Sequence, residues 1–184
     1  MALRKREVEL LADKITANLI RSGHVKLNKD ISILKSIVRD ILQADADKER
    51  EIDAKTKELL KQYSTEIEKE GADSSRLFAM AKKKVAKQEG FLLRYSSARI
   101  RYLSKKILKQ ATEEGVIEII STDKLATEAI AETIEKYFAL EDEVYEKVIE
   151  SLNKRSKKLI PGSMEWEIAF NKTYEEEMSK RLLK

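Results

Sequence analysis

The chain has 184 residues, with 37 Lys and Arg against 33 Asp and Glu, 5 Gly, 1 Pro and no Cys. The lack of cysteine excludes a disulfide framework, a thiolate nucleophile and thiolate metal ligands. With 42% apolar and 38% charged residues and so few turn formers, an extended sheet is excluded as well, and the composition predicts an all-α fold of long amphipathic helices.

Met1-Ala2-Leu3-Arg4-Lys5-Arg6-Glu7 is charged, but no apolar run of the kind a secretory signal requires follows it. No later segment approaches the roughly 20 apolar residues of a membrane span, so a cytoplasmic location without membrane insertion is expected. Val8, Leu11, Ile15 and Leu19 recur at helical spacing and predict an amphipathic helix over 4–22. Gly23 can take the left-handed conformation that ends it, and His24-Val25-Lys26-Leu27 reads as a short extended piece. Asp30 is an acceptable N-cap for a long helix carrying Leu34, Ile37, Val38 and Ile41. Its polar interval, Gln43 to Glu51, is expected as a bend or as solvent-exposed helix before Ile52, Leu59 and Leu60 resume the apolar stripe. A last helix is expected after Gly71.

The same series then returns. A helix over 96–114 carries Ile100, Leu103 and Ile107, Gly115 ends it, Val116-Ile117-Glu118-Ile119 is extended, and Thr122 can cap a long helix. That helix holds Leu125, Ile130, Ile134, Tyr137 and Phe138 and continues through Val144, Val148, Ile149 and Leu152. Setting each position n against n+92 aligns the two series without a gap: Leu11 falls on Leu103, Ile15 on Ile107, Gly23 on Gly115, Lys55 on Lys147, Leu60 on Leu152 and Phe78 on Phe170. Chance seldom places a helix-ending glycine and its flanking apolar set in one ungapped register. The expectation is two tandem homologous helical units, 1–92 and 93–184, with 24–28 and 116–120 able to pair as a two-stranded ribbon.

Near the C-terminus, Ile160-Pro161-Gly162-Ser163-Met164-Glu165-Trp166-Glu167-Ile168, followed by Tyr174-Glu175-Glu176-Glu177, resembles the closing signature of a small bacterial helical family catalogued as domain of unknown function 507. The resemblance implies a cytoplasmic bacterial helical protein, here as two tandem copies, and it supplies no catalytic residues to transfer. In the first half Asp73, Ser74 and Phe78 stand at the Glu165, Trp166 and Phe170 positions, and the Pro-Gly turn is absent. The signature also has a structural account. Pro161 and Gly162 stop one helix, Ser163 opens the next with Glu165 near the positive end of its dipole, and Trp166 folds its ring under the corner as a core anchor.

The residues that ordinarily carry catalysis are scarce. His24 is the single histidine, so no histidine triad or multi-histidine metal site can form within one chain, and its place after Gly23 makes it a turn residue. The five glycines are isolated, and no phosphate-cradling loop is formed from them. The acidic runs, Asp45 to Asp53, Glu141-Asp142-Glu143 and Glu175-Glu176-Glu177, are interspersed with lysine and read as solvated helix faces rather than metal sites. A non-enzymatic protein without cofactor is expected. The abundance of Lys and Glu with few Asn, Gln and Met also resembles a heat-adapted composition.

One feature stands above this background. Between Arg76 and Lys109 lie eleven basic residues against the single acid Glu89, a net +10 in a chain of net +4. Lys82, Lys83, Lys84, Lys87, Arg94, Arg99, Arg101, Lys105, Lys106 and Lys109 are the candidate contacts for an anion or nucleic acid, with Phe78, Phe91, Tyr95 and Tyr102 interleaved. The aromatics equally suit a core. Three readings stay open: the belt neutralises acids of the same chain, such as those of 128–150, or of a second subunit; it binds RNA or DNA; or it meets an acidic protein or anionic surface. The first choice among functions is a helical protein-interaction module, with nucleic-acid binding through 76–109 as the alternative and homo-oligomerisation open.

Overall fold

The computed structural model describes residues 2–62, 74–93, 96–154 and 164–182. In chain order the elements are α1 (Lys5–Arg21), β1 (Val25–Leu27), α2 (Ile31–Gln62), α3 (Ser74–Gln88), α4 (Ser97–Glu113), β2 (Ile117–Ile119), α5 (Asp123–Asn153) and α6 (Met164–Leu182). The fold is all-α, with one short ribbon. The expected bounds hold closely where the apolar stripe and a cap act together. Arg4 N–H donates to Glu7 Oε2 at 2.7 Å ahead of α1, and Ser96 opens α4 with its hydroxyl accepting from Arg99 N–H. Asp30 accepts from Ser32 N–H at 2.8 Å, and Thr122 from Leu125 N–H at 3.3 Å.

Both α1 and α4 end at a glycine with positive φ, +70° at Gly23 and +65° at Gly115. A shift of 92 carries α1 onto α4 and β1 onto β2 residue for residue, and starts α2 where α5 starts. The ribbon is symmetric under the same shift. It is antiparallel, with Val25 opposite Ile119, Lys26 opposite Glu118 and Leu27 opposite Ile117, so the central pair maps onto itself and the outer pairs exchange. Its flanking hydrogen bonds exchange too: Asn28 N–H to Val116 O at 2.9 Å and Ile120 N–H to His24 O at 3.0 Å. Three-residue strands are marginal by themselves; here Val25, Val116 and Ile117 are buried beneath the ribbon.

By its internal packing the chain forms two compact units, Met1–Ile134 and Glu135–Lys184. These units differ from the expected division at residue 92, because β2 pairs with β1 and α4 packs on α2, folding the start of the second half in with the first. In the first unit α1, α3 and α4 all pack on α2. Leu11, Ile15 and Leu19 of α1, Leu34, Val38 and Leu42 of α2, and Leu103 and Ile107 of α4 are fully or almost fully buried, and Asn18 Nδ2 donates to Thr133 Oγ1 at 3.2 Å. In the second unit Val144, Val148 and Leu152 of α5 and Phe170, Tyr174 and Met178 of α6 are buried, and Tyr145 meets Phe170 at 5.3 Å between ring centroids.

At both helix-ending glycines an added Cβ would meet no atom within 4 Å, so the positive φ alone sets the cost of a side chain. Gly23→Ala and Gly115→Ala are each expected to lower stability by about 1–2 kcal/mol, and the asparagine variants by less, as measured by urea denaturation.

Candidate functional site

The interval from Gln43 to Glu51 is neither a bend nor a wholly solvated stretch. It lies inside α2 with Ala46 and Glu49 buried. Asp45, Glu49 and Asp53 are spaced four residues apart and so share one helical face. Two cations from other helices close on that row. Arg99 of α4 reaches Asp45 Oδ2 at 2.5 Å and Glu49 Oε2 at 3.0 Å. Lys82 of α3 lies 3.0 Å from Glu49 Oε1 and 2.7 Å from Asp53 Oδ1. Glu49 thus ties both flanking helices to α2. The Arg99 and Glu49 side chains are only 2% and 3% exposed, and the Phe91 ring lies 4.4 Å from the guanidinium carbon, a cation–π contact.

Burial pushes the Asp45 carboxyl above its ordinary value despite the hydrogen bond and charge of Arg99. Burial acts the same way on Glu49, but there the hydrogen bond from Lys82 and the charges of Arg99 and Lys82 outweigh it and leave the carboxyl below its ordinary value. Lys82 is pulled down by burial and raised further by Asp53 and Glu49, with a net rise. Glu89 is taken up in the same way by α2. It lies 2.6 Å from Lys55 and 2.9 Å from Lys48, and their hydrogen bonds hold its carboxyl down to about 2. Ile52, Val85 and Ala86, with Leu59, Phe91 and Leu93 around them, complete the packing of α3 on α2.

The basic belt is therefore divided in two. Arg99 and Lys82 are structural: each is paired inside the protein, and Arg99 has no accessible surface to offer a ligand, because the side chain points into α2. Among the described residues the acids that hold them include Asp45, Glu49 and Asp53. Lys83, Lys84 and Lys87 of α3 and Arg101, Lys105, Lys106 and Lys109 of α4 are exposed. Among the described residues only Lys109 of these seven has an ion-pair partner, Glu113 at 3.7 Å on its own helix; Lys106 also acts at longer range on Asp45. Arg94 and Tyr95 lie outside the described residues. Phe78 and Phe91 are half-buried, whereas Tyr102 is 58% exposed, so it is no core residue.

Of the C-terminal signature, Pro161, Gly162 and Ser163 lie outside the described residues. Glu165 is exposed, and Trp166 is half-buried and stacks on Phe170 at 5.0 Å, with Phe170 stacked in turn on Tyr174 at 5.9 Å. Trp166 thus takes part in an aromatic ladder, and the corner it was expected to fold under lies outside the described residues. Among the described residues no group of His, Cys, Asp and Glu is arranged to hold a metal ion. No helix among them is long and apolar enough to cross a membrane.

A helix–strand–long helix–helix series met twice, with a two-stranded ribbon and a buried ion cluster, defines a small all-helical protein. The chain belongs to the family described as Protein of unknown function (DUF507), whose model matches residues 1–183 in one span through both halves. No curated protein matches it.

Removing Arg99 takes the cation from the buried Asp45 carboxyl and leaves Glu49 with one of its two. Arg99→Met is expected to cost about 3–5 kcal/mol, and the triple variant Asp45→Leu, Glu49→Leu, Arg99→Met to recover most of that loss, both read from denaturant midpoints. The acid side follows from Glu89. Its depressed value contributes stability above the ordinary carboxylate range, which is lost as pH falls toward about 2. Wild type should therefore lose more of its thermal midpoint between roughly pH 5 and pH 2 than Glu89→Gln does.

Proposed function

We propose that the protein is a non-enzymatic interaction module, built from a duplicated helical unit, whose contact surface is the exposed cationic face of α3 and α4 and whose partner is polyanionic. The observation that carries this is a comparison of the two halves at the 92-residue shift. Where α3 has Lys83 and Lys84, α6 has Glu175 and Glu176; where α4 has Arg101 and Lys105, α1 has Glu9 and Asp13. The same frame is thus made with opposite charges at these positions, and folding has no need of cations there.

The surroundings differ in the same sense. Asp13 of α1 is paired with Lys35 of α2 at 2.7 Å, and Glu9 lies 3.7 Å from Lys35 and 4.0 Å from Arg39. The residues at the shifted positions, Thr127 and Ala131, carry no charge, and among the described residues Arg101 and Lys105 have no ion-pair partner. A cationic surface that is neither required by the fold nor neutralised by its neighbours is suited to an external anion, and its field raises the rate of encounter with one. The duplication itself is supported by the coincident element bounds and by the ribbon that maps onto itself. The non-enzymatic reading rests on the residue inventory: one histidine, no cysteine and no phosphate loop.

The test is retention on immobilised heparin. Wild type should be retained and elute with added salt, and the triple reversal Lys83→Glu, Lys84→Glu, Lys87→Glu should elute at clearly lower salt. Because these lysines are exposed, their reversal is expected to change stability by no more than about 0.5 kcal/mol each. Flow-through of the wild-type protein at low salt would reject the proposal.

A further inference from the structure

Resting on that reading, we infer that the polyanion is single-stranded nucleic acid, held along α4 with an unpaired base stacked on Tyr102. Arg101, Lys105 and Lys109 form a row on α4 four residues apart, so successive charges advance about 6 Å along the helix axis. That pitch is close to the separation of neighbouring phosphates along one strand. Lys83, Lys84 and Lys87 extend the positive surface on α3, which flanks α2 beside α4 through the shared Glu49 contact.

Tyr102 is what singles out a strand from other anions. It is 58% exposed beside Arg101 and one turn before Lys105 and Lys106, and the corresponding position in α1 is Leu10, within the acidic surface of Glu9 and Asp13. An aromatic ring left in water among cations finds no free base on a duplex whose bases are already stacked, and on a sulfated polysaccharide it finds only puckered rings crowded by sulfates. It offers a platform to an unpaired base, and stacking of this kind tolerates any sequence because every base has a π-face. An acidic protein fits less well. Lysine is depleted at the centres of protein interfaces, and the exposed apolar surface on this face of α4 amounts to Tyr102 and Ala98. An anionic membrane surface would call for several apolar residues to insert among the cations; α4 presents Tyr102 and Ala98, and α3 adds a single large one, Met80, 62% exposed beside Lys83 and Lys84.

The experiment is fluorescence anisotropy with the full chain and labelled oligouridylate and oligothymidylate. The comparisons are a duplex of equal length, heparin, polyglutamate and phosphatidylglycerol vesicles. Wild type should bind the single strands more tightly than the duplex or polyglutamate, with affinity falling steeply as salt rises. Tyr102→Ala should weaken strand binding about tenfold and leave heparin retention unchanged, and Tyr102→Phe should restore it. Circular dichroism of the Tyr102 variants should match wild type. Heparin binding with no preference for single strands, or with Tyr102→Ala indistinguishable from wild type on the strand, overturns this inference and leaves the broader reading standing. Preference for polyglutamate or vesicles overturns it in favour of those partners. Failure to bind any of the probes removes the broader reading as well.

Discussion

The packing of the first unit depends on a row of three carboxylates that one helix turns inward. Asp45, Glu49 and Asp53 sit on the face of α2 where an apolar residue would be the simple choice, and each approaches a cation brought by another helix. Ionic contacts demand more exact placement than apolar ones, since a charge moved from its partner in a dry site loses far more than a displaced methyl group does. The row therefore fixes where α3 and α4 lie along α2. That placement leaves the remaining lysines of both helices on the outside.

The second unit packs its helices by different means. Shifted by 92, Asp45, Asp53 and Lys82 become Tyr137, Tyr145 and Tyr174, and α5 and α6 meet through aromatic rings, Tyr145 and Tyr174 both lying against Phe170. Buried ion pairs are seldom more stabilising than well-packed apolar groups of similar volume. Glu49 alone of the row keeps a carboxylate at the shifted position, Glu141, and in the first unit the charges serve placement more than stability. The cost of burying them is visible in Asp45, whose carboxyl is pushed up even with Arg99 on it.

The helices, their glycine ends and the ribbon were legible from residues 8–27 and 100–119, because apolar spacing, a glycine and an extended apolar pair act locally and coincide twice. The inward face of Asp45 and Glu49 was not. Carboxylates among lysines look solvated in any local window, and what buries them is an arginine 54 residues from Asp45 whose own neighbourhood looks like a binding surface. The clue was the four-residue spacing of the acids on the apolar side of α2, set against a basic belt with one internal acid. Arg99 and Lys82 could not be told from their exposed neighbours by charge alone; position on the buried side of α4 and α3 distinguishes them. Tyr102 is the converse, an aromatic that average behaviour assigns to a core and that the helix turns outward.

The self-mapping ribbon constrains which strands can meet. Its central position is the one place where a residue faces its own counterpart, and here that counterpart carries the opposite sign, Lys26 against Glu118. Were β1 to pair with β1 of another molecule in this register, two ammonium groups would be set face to face, and β2 with β2 would oppose two carboxylates; each is unfavourable where the present pair is favourable. Two like strands are thus discouraged from joining, and the pairing of unlike strands gives the ribbon a polarity that its backbone, by itself, does not have.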